Sequence, residues 1–223
     1  MRKTLLATAV LAAAVATPAV QAHEAGDIIV RAGAVTVTTH ESTSGVKTSL
    51  GGNLGGKATL NNDTQLGLNF AYMVTDNIGI ELLAASPFKH DVHIKNTAVG
   101  SMKLGSLKHL PPTLSAVYYP LDSKSAFQPY VGAGINYTWF FDENLSSTAK
   151  NGLGANNFKV KNSWGLAAQI GADYMLTDNL MINGQVRYID IDTDATLNTV
   201  AGRTKVNVDV KPWVYMVGLG YKF

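Results

Sequence analysis

The sequence predicts an all-β protein: an eight-stranded antiparallel transmembrane β-barrel with up-and-down topology. Three observations support this fold class. Apolar residues alternate with small or polar residues along most of the chain, the period-two pattern of strands. The connections alternate between short turns and long polar segments. The chain ends on a strand, residues 213–223, with aromatic and aliphatic residues on one face and Phe223 at its end, as in outer-membrane barrels, where aromatic residues form girdles at both interfaces.

Residues 1–22 are predicted to be a secretory signal peptide. Arg2 and Lys3 precede an apolar run from Leu5 to Ala16, and small residues lead to Ala22. The run is too short for a membrane-spanning helix, which needs about 20 apolar residues. We therefore expect cleavage after Ala22 and one outer-membrane barrel domain over residues 23–223 of a Gram-negative bacterial protein.

The composition argues against two other classes of protein. The chain has 18 Lys and Arg against 16 Asp and Glu. Loss of Arg2 and Lys3 with the signal peptide makes the remaining chain neutral, so nucleic-acid binding, which requires a concentrated basic face, is not expected. The chain has no cysteine, so it is not a disulfide scaffold; a closed hydrogen-bonded sheet can supply the stability that an exported protein needs.

The period-two pattern predicts eight strands. In the second strand, for example, Leu66, Leu68 and Phe70 are expected to face lipid. In the eighth strand the apolar residues change from even to odd positions after Pro212, and a β-bulge that inverts the two faces is the expected cause. The predicted strands cover about residues 27–39, 64–75, 78–85, 109–120, 127–142, 163–174, 180–188 and 205–223.

The connections between the strands predict the topology. Thr75-Asp76-Asn77 and Thr177-Asp178-Asn179 are short segments of turn-forming residues in similar surroundings, which indicates one hairpin solution used twice. Segments 40–63, 91–108 and 143–160 are long and polar, as extracellular loops are. Both termini then lie at the periplasmic end, and eight strands leave room inside for side chains or one slender ligand.

The chain resembles the outer membrane protein W (OmpW) family over its whole predicted mature length. The resemblance implies a monomeric outer-membrane barrel, embedded in lipid and lipopolysaccharide, with a narrow lumen that admits small hydrophobic molecules. It also implies a surface that bacteriocins or phages exploit as a receptor in some members. Separately, a terminal Phe after such a strand resembles the signal that the barrel-assembly machinery recognises, and we expect Phe223 to have this role. The residues that carry the resemblance are His23-Glu24-Ala25-Gly26 and the segments 62–68, 75–85, 109–113, 129–137 and 213–223.

Five charged residues are predicted to face the lumen. Charges in so narrow a space should pair, because an unpaired buried charge is costly. We expect them to form a structural ionic plug, in preference to a gate or a substrate-binding site. They are Arg31, Glu81, Asp173, Arg187 and Lys222.

Above this plug the inward residues are apolar, which would suit a hydrophobic ligand, although simple packing is the alternative. They are Val35, Val37, Leu83, Ala85, Val117, Ile189 and Ile191. Pro87, Pro111 and Pro112 lack the N–H groups of a sheet ladder. They predict either a lateral gap between the third and fourth strands or simple strand ends.

Catalysis has weaker support, because no nucleophile lies in a motif with a base and an acid. His90 and His93 have a spacing compatible with a metal ion, but two loop histidines without further ligands are a weak signal. We expect no enzyme activity, cofactor or metal. A structural, adhesion or stress-related barrel remains the alternative to a channel.

Overall fold

A computed structural model describes residues 22–39, 41–43, 47–48, 55–97, 100–200 and 202–223. The predicted signal peptide, except for Ala22, lies outside this part of the chain. The described residues form one short helix, α1 (Ser147–Leu153), and sixteen strands: β1 (Ile28–Thr38), β2 (Glu41–Thr43), β3 (Lys47–Thr48), β4 (Gly55–Leu60), β5 (Asp63–Met73), β6 (Ile78–Ala85), β7 (Phe88–Thr97), β8 (Gly100–Leu110), β9 (Thr113–Tyr118), β10 (Phe127–Leu145), β11 (Asn156–Val160), β12 (Ser163–Met175), β13 (Leu180–Ile189), β14 (Ile191–Thr199), β15 (Gly202–Val210) and β16 (Trp213–Lys222).

Eight of these strands close into an antiparallel barrel, in the order β1, β5, β6, β9, β10, β12, β13 and β16. The last strand returns to the first, pairing from Ile29↔Lys222 to Thr38↔Trp213. The fold-class prediction is therefore confirmed. Among the described residues, no helix is long and apolar enough to cross a membrane.

Side chains along the barrel strands alternate between an exposed apolar face and a buried inner face. Leu166 is 72% exposed and Ile170 63%, whereas Gln169 between them is buried. In a closed barrel every strand is paired on both sides, so the backbone is not exposed to lipid. The acyl chains therefore contact the outward side chains, which are apolar. The predicted assignment of faces in these strands is confirmed.

The two short turns have the same hydrogen bonds, which confirms the predicted repeat. The Thr75 hydroxyl accepts from the backbone N–H of Ile78 at 3.0 Å, and the Thr177 hydroxyl accepts from that of Leu180 at 3.0 Å. The side chain of the following Asn in each turn donates to a carbonyl near the end of a neighbouring strand. Both described chain ends lie at this end of the barrel, where Ala25 N–H donates to Asp76 and Phe223 N–H to the carbonyl of Ile28.

The described residues of the segments expected to be extracellular loops are largely regular structure; residues 40, 44–46 and 49–54 of the first segment and 98–99 of the second lie outside the described part of the chain. One small sheet consists of β4, β7, β8 and the upper part of β10, and a second of β11, β14 and β15, with β2 and β3 paired to β15. Segment 91–108 belongs mainly to the β7–β8 hairpin, and segment 143–160 contains α1 and β11. The two sheets continue the barrel wall beyond its closed ladder, and their apolar faces meet.

The predicted inversion of faces at Pro212 is wrong. Val206, Val208 and Val210 are buried, and so are Val214 and Met216 after the proline, so even positions face inward throughout. The change in pattern therefore marks a change in surroundings. Below Pro212 the outer face meets lipid; above it the outer face is polar and the inner face is apolar.

Single-cysteine variants of this cysteine-free chain test the corrected assignment. A membrane-impermeant maleimide added to cells should label Asn207→Cys readily, because Asn207 is exposed, and Val208→Cys slowly, because Val208 is buried. The measurement is the labelling rate of each variant. Faster labelling of Val208→Cys than of Asn207→Cys would contradict the inward position of Val208 and support the inversion of faces at Pro212.

Candidate functional site

Four of the five predicted charged residues meet in one network across the barrel interior. Arg31 comes from β1, Glu81 from β6, Asp173 from β12 and Arg187 from β13, and all four side chains are buried. Two arginines and two carboxylates balance one another in charge. We call this group the ionic layer.

Arg31 is held mainly by Asp173. Its Nε donates to Asp173 Oδ1 at 2.9 Å and its Nη2 to Asp173 Oδ2 at 2.5 Å, a two-point contact that fixes the guanidinium plane. Its other contacts are with Asn69 Oδ1 at 3.0 Å, the Tyr119 hydroxyl at 2.9 Å and Glu81 Oε2 at 3.5 Å. The absence of a side chain at Gly220 leaves room for Arg31, because a Cβ at residue 220 would stand 2.9 Å from Arg31 Cγ.

Glu81 joins the two arginines. Its Oε1 accepts from Arg187 Nη2 at 2.6 Å, and Gln169 Nε2 donates to the same oxygen at 2.9 Å. Gln169 in turn accepts from Arg187 Nε at 2.6 Å. The network therefore runs without a break from Asp173 through Arg31 and Glu81 to Arg187, and it braces strands on opposite sides of the barrel.

Sequence reasoning did not single out the uncharged residues that contact the ionic layer, nor one histidine. Asn69, Gln169 and Asn183 were placed inside by their position, but only charge singled residues out. Asn183 donates to Asp173 at 2.8 Å. His23 is fully buried, lies 3.5 Å from Asp173 Oδ2 and packs edge-on against Tyr119.

The fifth predicted charge, Lys222, does not join the ionic layer. It lies near the periplasmic rim, where its Nζ is 3.7 Å from Asp27 Oδ2. Phe223 beside it is 70% exposed, and its ring packs against Tyr221. Its recognition by assembly machinery remains a prediction.

Apolar side chains fill the barrel on both sides of the ionic layer. Val35, Val37, Leu83, Ile189 and Ile191 belong to one buried cluster above it, with Ala85 packed against them. The placement of Val117 in this group is wrong. Val117 packs with Ile29, Met73, Tyr119, Tyr130 and Met181 at the periplasmic end, because its strand ends at the next residue, close to the barrel rim.

An apolar cavity lies beyond the barrel, between the two small sheets. Its volume is about 270 Å³, and its walls are almost wholly aliphatic or aromatic. We call it the outer cavity. Its lining includes Val92, Leu104 and Leu107 from one sheet and Phe158, Leu197 and Val206 from the other.

A group of four rings stands below the outer cavity. Phe88 and Phe140 flank His109, with ring centroids 5.4 and 5.8 Å away. His90 Nε2 is 2.8 Å from His109 Nε2, and His90 Nδ1 is 2.5 Å from the carbonyl oxygen of Asn61. A carbonyl only accepts, so His90 Nδ1 carries a proton; with both rings neutral, His109 Nε2 donates to His90.

Burial lowers the pKa of His109 from its usual value to about 3, and His90 lowers it further, while Asp63 opposes the shift. His109 is therefore neutral at physiological pH. The spacing of His90 and His93 does not bring the two side chains together: His90 faces inward and is buried, while His93 has the opposite strand position and is half-buried. Within the described ranges, no group of three or more His, Asp or Glu is placed to hold a metal.

The three prolines lie at one break in the wall. Pro87 separates β6 from β7, and Pro111 and Pro112 separate β8 from β9. Pairing of β6 with β9 ends at Leu83↔Thr113, and pairing of β7 with β8 resumes at Phe88↔His109. In the described chain, no ladder pair joins the residues between. We call this interval the proline seam.

Each flank of the proline seam is bonded to its other neighbour. Ser86 N–H donates to the carbonyl of Leu66 on β5. The carbonyls of Pro111 and Pro112 accept from Asn136 Nδ2 at 3.0 and 3.1 Å. The wall is therefore intact on both sides and weakest between them, at the level between the ionic layer and the outer cavity.

Comparisons with known proteins agree with this architecture. The sequence matches the OmpW family over residues 24–223. It is 45% identical over 224 residues to outer membrane protein W of Vibrio cholerae serotype O1, with both chains fully covered. The crystal structure of the outer membrane protein OprG from Pseudomonas aeruginosa is 50% identical, covers 92% of this chain and 99% of its own, and superposes with a TM-score of 0.87. The dibenzothiophene metabolism operon protein PahQ of Pseudomonas aeruginosa is 26% identical over 172 residues, 76% of each chain.

Removal of the bridging carboxylate tests the ionic layer. Glu81→Ala leaves Arg187 without a carboxylate partner and Arg31 with only Asp173, so we expect the free energy of unfolding to fall by roughly 3 to 5 kcal/mol, as when a buried pair is broken. The measurement is urea unfolding in micelles, with ion conductance in planar bilayers as a second readout, which should rise. Asp91→Ala, which breaks an exposed pair with Lys103, is the control and should cost less than about 1 kcal/mol. Equal effects would contradict the structural role.

The buried histidine pair predicts a pH dependence of stability. His109 stays neutral in the folded state down to about pH 3, whereas in the unfolded state it binds a proton below about pH 6.5. The free energy of unfolding should therefore decrease as the pH falls from 6.5, by roughly 2 kcal/mol at pH 5. Urea unfolding at pH 7.5 and 5.0 measures this loss.

His109→Phe keeps a ring and should remove this part of the pH dependence. His93→Phe, at a half-buried outward position, should keep it. The same pH dependence in wild type and His109→Phe would show that His109 titrates normally in the folded protein.

Proposed function

Because the chain belongs to the OmpW family and lies in the outer membrane of a Gram-negative bacterium, we propose that it admits small hydrophobic molecules from the medium and releases them sideways into the membrane. The observation that carries the proposal is the outer cavity, an apolar space beyond a closed ionic layer. The partners proposed are a small hydrophobic ligand, outer-membrane lipid and lipopolysaccharide, and the barrel-assembly machinery. We propose a monomer that carries out permeation without catalysis.

The lining of the outer cavity supports an apolar ligand. Its aliphatic walls offer few hydrogen-bonding groups, so a polar solute would lose its hydration there without compensation, at a cost of several kcal/mol. An apolar solute gains about 0.8 kcal/mol for each methylene that it removes from water. The name of the relative PahQ refers to the metabolism of dibenzothiophene, an apolar aromatic compound, and agrees with this chemistry.

The ionic layer argues against an axial path into the periplasm. An apolar molecule that moved along the barrel axis would have to separate Arg31 from Asp173 or Arg187 from Glu81, and both pairs are buried. Separation of a buried pair costs about 3 to 5 kcal/mol, and an apolar molecule forms no hydrogen bond or ion pair that would compensate for this cost. A route that ends above the layer avoids this cost.

The proline seam supplies such a route. It is the interval of the wall without ladder pairs between β6–β9 and β7–β8. Phe88 and His109 form the first ladder pair beyond it, and their ring centroids are 5.4 Å apart. His109 also lines a small space next to the outer cavity, together with Leu107 and Phe140. A molecule that passes these rings would need to displace side chains only, because the backbone N–H groups that would close the seam are missing at the prolines.

Restoring donors at the seam tests the lateral release. A variant with Pro87, Pro111 and Pro112 all replaced by Ala should close the ladder and slow the uptake of apolar solutes. Uptake of an alkane series by cells that express each variant, compared with cells without the protein, is the measurement. In wild type the dependence on the protein should increase with chain length, since longer chains gain more on entering lipid.

Pro129→Ala is the matched control, because Pro129 lies within a paired part of β10, at Pro129↔Ala172. It should leave uptake unchanged. Unchanged uptake in the triple variant would reject the seam as the exit. No effect of the protein on any alkane would contradict the channel and favour a structural or receptor barrel.

A further inference from the structure

Three threonines interrupt the apolar lining of the outer cavity: Thr193, Thr199 and Thr204. Two of their hydroxyls are used within the protein. Thr193 Oγ1 donates to the carbonyl of Lys161 at 2.6 Å, and Thr199 Oγ1 to that of Gly202 at 3.1 Å. The first bond joins β14 to the segment after β11, and the second lies at the turn between β14 and β15. Both hydroxyl protons are therefore used within the protein and are not available to a ligand.

Thr204 differs from both. Its side chain is 2% exposed, and its Oγ1 has no hydrogen-bond partner among the residues that the structure describes. Buried polar atoms in folded proteins are almost always paired, so an unpaired hydroxyl in a cavity wall calls for an explanation. Valine has the same shape and would line the cavity without leaving a polar atom unpaired.

We propose that the Thr204 hydroxyl binds the single polar group of an otherwise apolar ligand, so that the outer cavity selects alcohols and similar molecules over pure hydrocarbons. The inference rests on the proposed function and names its ligand class. A hydroxyl can both donate and accept, so it suits an alcohol, a phenol or a carbonyl compound.

The volume of the outer cavity sets the size of this ligand. A cavity of about 150 Å³ holds benzene, and the outer cavity has about 270 Å³. By proportion it accommodates about ten non-hydrogen atoms. 1-Nonanol and decane each have that size and differ only in the terminal group, which makes them a matched pair of probes.

The preference has a defined magnitude. Decane leaves the Thr204 hydroxyl unpaired, whereas 1-nonanol satisfies it and keeps its own hydroxyl paired inside the cavity. A net hydrogen bond of ordinary strength corresponds to about a three- to tenfold difference in affinity. The gain is one of selectivity, because both molecules share the same apolar contacts.

Binding of both probes to the full-length protein in lipid nanodiscs tests the proposal, by calorimetric titration corrected with empty nanodiscs. Thr204→Val should lower the affinity for 1-nonanol about three- to tenfold and leave decane unchanged. Thr204→Ser, which keeps a hydroxyl, should retain the wild-type ratio. Thr193→Val is the matched control, since it removes a hydroxyl from the same cavity that is already bonded, and it should not change the ratio.

The outcomes separate the two proposals. If both probes bind wild type and Thr204→Val with the same ratio of affinities, the polar anchor is refuted and the hydrophobic route stands. If neither probe binds, the proposed function and the anchor both fail. Thr204→Val removes an unpaired buried group and is expected to fold, and its urea unfolding midpoint checks this.

Discussion

The pairing of four charges inside a narrow barrel is the constraint on which the rest of the molecule depends. Arg31, Glu81, Asp173 and Arg187 come from four different strands, and each is stable in the interior only while the others are in place. The ionic layer therefore fixes the registers of distant strands relative to one another. It also fills the lumen, which divides the protein into a packed periplasmic half and an outer half with free volume.

In the outer half the side chains alternate in the same way, but the apolar face encloses a cavity. Within the membrane the apolar face points outward and the inner face is mixed. Beyond Pro212 and the other strand breaks, the apolar face points inward, as Val206 and Val208 show. Two sheets then enclose the outer cavity without a membrane around them. The aromatic group at His109 lies where the lipid-facing barrel meets the two outer sheets, next to the proline seam. A hydrophobic molecule can therefore enter and leave on the same side of the ionic layer.

Much of the barrel could be predicted from the sequence because period-two alternation is a local property. It placed Leu66, Asn69 and Glu81 correctly without any knowledge of their neighbours. It failed at β15, where the change of apolar positions at Pro212 was attributed to a bulge, although the valines of β15 line a cavity. The pattern identifies the apolar face of a strand but not what covers that face. Contacts between segments that are far apart in the chain or on different strands could not be predicted from residue spacing. They include those of Lys222 with Asp27, His90 with His109 and His23 with Asp173.

Intermolecular nuclear Overhauser effects from decane to the methyl groups of the protein in bilayers provide the most direct measurement of where an apolar molecule resides. If the ionic layer bounds its path, contacts will be found with Leu104, Leu107 and Val206 in the outer cavity, and none with Met73, Val117 or Met181 on the periplasmic side. Contacts with those three residues would show that hydrophobic molecules cross the layer of charges, and would contradict a route that ends in the membrane.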